Sequence, residues 1–122
     1  MLEHTTKVIY MRLGYTGICH KVAEDEHIVI YTYAGENWND GGKSKLGDSQ
    51  LQDGIFTIQK DSFCANLERS VQTKSVEIKQ ECKNAFRKAN IPCDYIAWRL
   101  LNRIFDYTKT NQHFPEHISF VQ

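Results

Sequence analysis

The sequence predicts one α+β domain spanning residues 1–122, an antiparallel sheet of four or five strands with two main C-terminal helices packed on one face. Three observations lead there. β-Branched and aromatic residues crowd the first half, most densely at His27-Ile28-Val29-Ile30-Tyr31-Thr32-Tyr33. The apolar spacing changes from period 2 to period 3.6 near residue 60. A broad apolar helical face then runs through residues 94–109.

Taken in order, Lys7-Val8-Ile9-Tyr10-Met11-Arg12-Leu13 reads as a first strand, Gly14 to Gly17 as a turn, and Ile18-Cys19-His20-Lys21-Val22 as the returning strand. Glu24-Asp25-Glu26 makes an acidic bend into the run at 27–33. Because Ile28 to Ile30 are apolar without alternation, this strand is expected at the centre of the sheet, covered on both faces. From Gly35 to Gly54 the chain is polar and glycine-rich, a long connection of the kind that usually carries function. Asp53-Gly54 turns into Ile55-Phe56-Thr57-Ile58, a further strand. Asp61 or Ser62 suits the cap of a short helical turn through Leu67, and Val71 to Ser75 suits an extended segment.

The first expected helix covers 76–89, where Ile78, Cys82, Ala85, Phe86 and Ala89 fall in one arc about 100° wide on a helical wheel. The second follows Pro92, starts at Asp94 and runs to about Lys109. Ile96, Ala97, Trp98, Leu100, Leu101, Ile104, Phe105 and Tyr107 fill an arc of roughly 200°, opposite Arg99, Asn102, Arg103 and Asp106. This helix is expected to lie across the sheet, with a side chain such as Phe105 central and its burial worth roughly 1.5–3 kcal/mol. Ile118-Ser119-Phe120-Val121 reads as a last strand.

A chain of this length buries roughly two-thirds of its unfolded surface, so its core needs no metal or disulfide. Lysine plus arginine and aspartate plus glutamate are equal at 15 each, which disfavours nucleic acid as a partner. No signal-like or membrane-spanning run appears, and Cys19, Cys64, Cys82 and Cys93 are widely spaced without a CxxC pair. A cytoplasmic protein with buried free thiols is the expectation.

Motifs for catalysis fail on geometry. Gly42-Lys43-Ser44 resembles the end of a phosphate-binding loop, yet Asn37 stands where that loop needs its first glycine. Glu77-Ile78-Lys79, with Asp61 upstream, has the spacing of a metal-dependent nuclease, but a helix would turn Glu77 and Lys79 about 200° apart. His113 and His117 are spaced for one helical face, with Pro115 between them. Cys19 and His20 are adjacent, which on a strand points them to opposite faces. No cofactor, metal or catalytic residue is therefore expected, and the protein reads as a binder rather than an enzyme.

Two surfaces suit binding. Glu36, Asn37, Trp38, Asn39 and Asp40, with Asp48 further along the same connection, surround one large indole with polar groups, the composition of an interface anchor. Lys79, Lys83 and Arg87 are spaced i, i+4, i+8 and would form a cationic ridge on the first helix.

The strings Tyr31-Thr32-Tyr33, Glu36-Asn37-x-Asn39, Asp53-Gly54-Ile55-x-Thr57-Ile58 and the segment from Tyr95-Ile96-Ala97 to Phe114-Pro115 resemble small bacterial immunity-type proteins. That resemblance implies a protein that neutralises a partner, such as a toxin, by binding it, and assigns no binding residue. The competing readings are capture of a nucleotide-like ligand by a phage or bacterial protein, through aromatic stacking and arginine, and, third, the nuclease. Oligomeric state stays open.

Overall fold

The computed structural model describes residues 14–37, 51–63 and 66–122. The elements are β1 (Tyr15–Glu24), β2 (Ile28–Asn37), β3 (Gly54–Gln59), a 3-10 turn (Lys60–Ser62), α1 (Leu67–Gln72), β4 (Val76–Gln80), α2 (Tyr95–Asn111) and β5 (His117–Val121). The sheet order is β4-β3-β2-β1-β5, with every pair antiparallel. The α+β class and the antiparallel sheet agree with the sequence. The expected first strand at 7–13 lies outside the described residues.

β1 begins earlier than the sequence suggested. Tyr15, Thr16 and Gly17 are not a turn but pair with Asn37, Glu36 and Gly35. The two facing glycines explain this, since their missing side chains leave room for neighbours to press on the backbone. A Cβ on Gly17 would lie 2.3 Å from a ring carbon of Phe120, and one on Gly35 would lie 2.5 Å from Cδ1 of Ile96. Val22 is an extra residue where the register shifts between Lys21 and Ala23, a bulge that loosens the strand towards its end. The acidic bend then closes on Asp25, whose Oδ1 accepts from the backbone N–H groups of His27 and Ile28 at 2.7 and 2.8 Å. Those two N–H groups hold the Asp25 carboxyl below its usual range.

β2 is the central strand, as its β-branched run implies. Its faces differ, however: Val29, Tyr31 and Tyr33 are fully buried, while Ile28, Ile30 and Thr32 on the other face are half-buried. Phe56 and Ile58 of β3 extend the buried side, with Phe56 packed against both Tyr31 and Tyr33.

The segment 76–89 is not a helix. Ile78 fits the helical arc with Cys82 and Phe86, but within Val76-Glu77-Ile78-Lys79-Gln80 it also alternates with Val76, and the open edge of β3 takes this stretch as β4, with Ile78 opposite Phe56 and Val76 opposite Ile58. From Glu81 to Asp94 the chain is irregular. Among the described residues α2 is therefore the single long helix, and α1 spans six residues.

α1 starts at Asn66, whose side chain accepts from the Arg69 N–H. α2 starts at Asp94 in the same manner, with Oδ1 accepting from the Ala97 N–H at 2.9 Å. It ends where Gln112 adopts a left-handed conformation. Ile96, Ala97, Leu100, Leu101 and Ile104 are fully buried against the sheet. Trp98, Phe105 and Tyr107 are only half-buried, so the apolar face is narrower than the wheel suggested. Phe105 lies at its margin, edge-on to Phe63. Beyond α2, the Pro115 carbonyl accepts from the Tyr31 hydroxyl at 2.6 Å, and β5 joins the outer edge of β1.

Candidate protein-binding site

The buried polar groups serve the fold. Asp94 is 0% exposed, and its Oδ2 accepts from the Tyr33 hydroxyl at 2.7 Å while Oδ1 caps α2. Desolvation raises the Asp94 carboxyl above its usual range, partly opposed by the hydrogen bonds from Ala97 and Tyr33. The Tyr33 oxygen in turn accepts from the Cys82 N–H at 3.3 Å. Cys19, Cys82 and Cys93 are buried free thiols, as expected, and burial pushes each up to about 12. Such thiols stay protonated and are poor nucleophiles. Cys64 lies outside the described residues.

The two expected binding surfaces fare differently. Glu36 and Asn37 do not project from a loop: they end β2 and are 9% and 7% exposed, with Glu36 Oε1 accepting from the Thr16 hydroxyl. Trp38, Asn39, Asp40 and Asp48 lie outside the described residues. The ridge of Lys79, Lys83 and Arg87 does not exist as a helical row, because Lys79 is on β4 and the other two are in the irregular segment. Lys79 pairs with Glu77 at 3.1 Å, Arg87 pairs with Glu81, and the Lys83 N–H donates to Asp53.

On the strand, Glu77 and Lys79 leave on the same side, which removes the helical objection to the nuclease reading. Asp61 is placed instead beside His27, and among the described residues no three His, Cys, Asp or Glu side chains converge to hold a metal. His113 and His117 are not on one helix either, since β5 begins at His117.

An aromatic cluster forms at the end of the sheet where β2 runs out. Tyr15 of β1 stacks on Phe86 at 4.8 Å between ring centres, and Tyr95 of α2 lies 5.5 and 5.4 Å from the two. Three local facts position them. The Tyr95 N–H donates to the Phe86 carbonyl at 2.7 Å, the Asn84 amide donates to the Gly35 carbonyl, and the Tyr95 hydroxyl donates to Gln122. Lys88 stands over the group, its Nζ 4.1 Å from the Tyr95 ring centre and 4.8 Å from that of Tyr15. Tyr15 and Phe86 are half-buried and Tyr95, 8% exposed, backs them, so the arrangement offers the open parts of two packed rings beside one exposed cation, suited to an apolar contact with an acidic rim.

A groove of about 670 Å³ runs along α2 beside β5, lined by Tyr95, Trp98, Arg99, Asn102, Arg103, Asp106, Tyr107 and Ile118. A smaller hollow of about 380 Å³ contains Lys21, Glu24 and Glu116, whose charges are joined in pairs and leave little field for a ligand.

Neither the cluster nor the groove was named from sequence as a site. Residues 15, 86 and 95 meet only through the topology. The groove had a readable signal, Trp98 at the border between the apolar arc and Arg99 and Arg103. Among the described residues no helix is long and apolar enough to cross a membrane. Comparison with known proteins finds no matching family model, curated protein or solved structure.

Proposed function

We propose that this chain is a small binding protein that neutralises a partner protein, in the manner of an immunity-type protein, and that it grips the partner with Tyr15 and Phe86, backed by the buried ring of Tyr95. The observation that carries the reading is the packing of these rings beneath Lys88. Aromatic side chains already ordered before binding lose little entropy on association, and such anchors dominate interface energies. Lys88 adds preference for a partner with a carboxylate near its apolar contact. Glu36 and Asn37 reinforce the end of β2 beside this surface rather than making the contact. β2 ends at Asn37, at this same end of the sheet.

The test is affinity capture from the producing cells with the wild-type chain, then binding and activity assays on the purified partner. Phe86→Ala and Lys88→Glu should each weaken binding about tenfold or more, as truncated or reversed anchors do. Wild-type chain should suppress the partner's activity in proportion to occupancy. A partner bound equally well by wild type and both variants would overturn the placement, and one bound without loss of activity would overturn neutralisation.

A further inference from the structure

We propose that two copies of this chain form a two-fold symmetric dimer in which β5 of one pairs antiparallel with β5 of the other and the two α2 helices meet across the joined sheet. The dimer surface is centred on Ser119 and Arg103 and meets the partner contact around Phe86 only at Tyr95, which lies at the end of the α2 groove.

Among the described residues β5 and β4 are the edges of the sheet. β4 is guarded: it carries Glu77 and Lys79 and its register with β3 shifts between Ile55 and Phe56. β5, His117-Ile118-Ser119-Phe120-Val121, has no lysine, no proline and a regular register, and Val121 is 81% exposed. An edge without such guards is a template for another strand.

The backbone hydrogen bonds fix which groups are free to pair. Gln122 exchanges N–H and carbonyl bonds with Tyr15, and the Glu116 carbonyl accepts from the Lys21 N–H. Direction alternates along an antiparallel strand, so His117, Ser119 and Val121 aim their N–H and carbonyl groups away from β1. These three residues are symmetric about Ser119. Self-pairing centred there sets His117 opposite Val121 of the second copy, and Ile118 opposite its Phe120.

α2 carries a matching symmetry. It runs antiparallel to β5, for the Tyr95 hydroxyl meets Gln122 at 3.0 Å and the Arg99 guanidinium lies 5.2 Å from the Phe120 ring centre. With about 1.5 Å of rise per helical residue and about 3.4 Å per strand residue, the point midway between Asn102 and Arg103 lies about 11 Å along from Tyr95, level with Ser119. One two-fold axis therefore serves both elements. About that midpoint Arg99 faces Asp106 of the second copy, Trp98 faces its Tyr107, and Asn102 faces its Arg103. Among the described residues Arg99, Arg103 and Asp106 make no salt bridge within the chain. The groove thus holds opposite charges placed symmetrically about the axis, as an isologous interface requires. An acidic peptide would meet Asp106 as well as the arginines, which favours a second copy as the occupant.

Analytical ultracentrifugation of the full chain tests this. The wild type should sediment at twice the 14.2 kDa chain mass. Ser119→Pro removes an N–H that points away from β1, so each chain keeps its fold while the pairing is blocked. Arg99→Glu and Asp106→Arg should each weaken dimerisation about tenfold or more through like-charge contacts, and the double variant should restore it. Circular dichroism melts check that each variant folds. If Ser119→Pro fails to fold, the charge-reversal set decides alone. A wild type that stays monomeric at about 1 mM, where even a millimolar complex would be substantially formed, overturns the dimer. Folded single variants that remain dimeric, or a folded double variant that stays monomeric, overturn this interface.

Discussion

The hydroxyl of Tyr33 donates to Oδ2 of Asp94 at 2.7 Å, joining the central strand to the first residue of the α2 cap with both side chains withdrawn from solvent. Tyr33→Phe keeps the ring packing and removes only this oxygen. It leaves the Cys82 N–H without its acceptor and one Asp94 oxygen without its donor. A loss of about 1–3 kcal/mol in urea melts is expected, the usual effect of leaving buried polar groups unpaired.

Asp94 also gives the stability a pH dependence. Its carboxyl is raised chiefly by desolvation, so the folded state binds this proton more tightly than the unfolded chain, where the value is near 3.8. The contribution favours folding below the unfolded value and is lost as pH rises through the raised folded value. Asp94→Asn cannot titrate there, and its side-chain oxygen can still cap Ala97. The stability difference between wild type and Asp94→Asn should therefore move against the wild type as pH rises through that window. Melts at a series of pH values measure it, and a constant difference would mean the carboxyl is not raised.

The buried stripe of α2 separates two apolar residues that look alike on a helical wheel. Leu100 is fully buried, whereas Phe105 is half-buried at the margin. Leu100→Ala should cost about 2–5 kcal/mol through lost burial and the cavity left behind. Phe105→Ala should cost nearer 1 kcal/mol. Denaturant unfolding of both variants checks the ranking, and a larger loss at Phe105 would mean that the helix is rotated.

These contrasts explain what the sequence could convey. β2 and α2 were legible because local signals agree with their surroundings: a β-branched run in one, and in the other a capping aspartate ahead of a regular apolar stripe. β4 was not. Ile78 satisfies both periods, period 2 with Val76 and period 3.6 with Cys82 and Phe86, and the unpaired edge of β3, a partner distant in the chain, decided between them. With that helix went the cationic ridge of Lys79, Lys83 and Arg87, whose spacing had meaning only on a helix. Glu36 and Asn37 looked like loop residues because polar residues flank a glycine, yet Gly35 is there to let Ile96 approach. The aromatic cluster had no local signature at all.

Chemical labelling probes the core from another side. Burial pushes the Cys19, Cys82 and Cys93 thiols up to about 12, so at pH 8 only about one in ten thousand of each would be thiolate. Iodoacetamide should leave these three unmodified in the native protein and alkylate them rapidly in urea. Peptide mass spectrometry assigns the labels residue by residue. Fast native labelling at any of the three would show that its site opens to solvent.

Gly35 tests how tightly helix and sheet are pressed together. A Cβ there would lie 2.5 Å from Ile96 Cδ1 and 2.6 Å from the Thr16 carbonyl oxygen, both inside any tolerable contact. Gly35→Ala should destabilise the domain by about 1–3 kcal/mol, the range for overpacking a close-packed site. The two clashes differ in kind, and that difference supplies the sharper expectation. Ile96 is a side chain that can be shortened, whereas the Thr16 oxygen belongs to β1, the strand paired with β2 at this point. Adding Ile96→Val to Gly35→Ala should therefore recover only part of the loss, even after its own effect is measured and subtracted in a double-mutant cycle. Full recovery would mean that the helix alone sets the need for glycine. No recovery would leave the constraint with the β1–β2 ladder and with the Ile96 Cγ2 methyl, 2.9 Å from the same Cβ, which valine keeps.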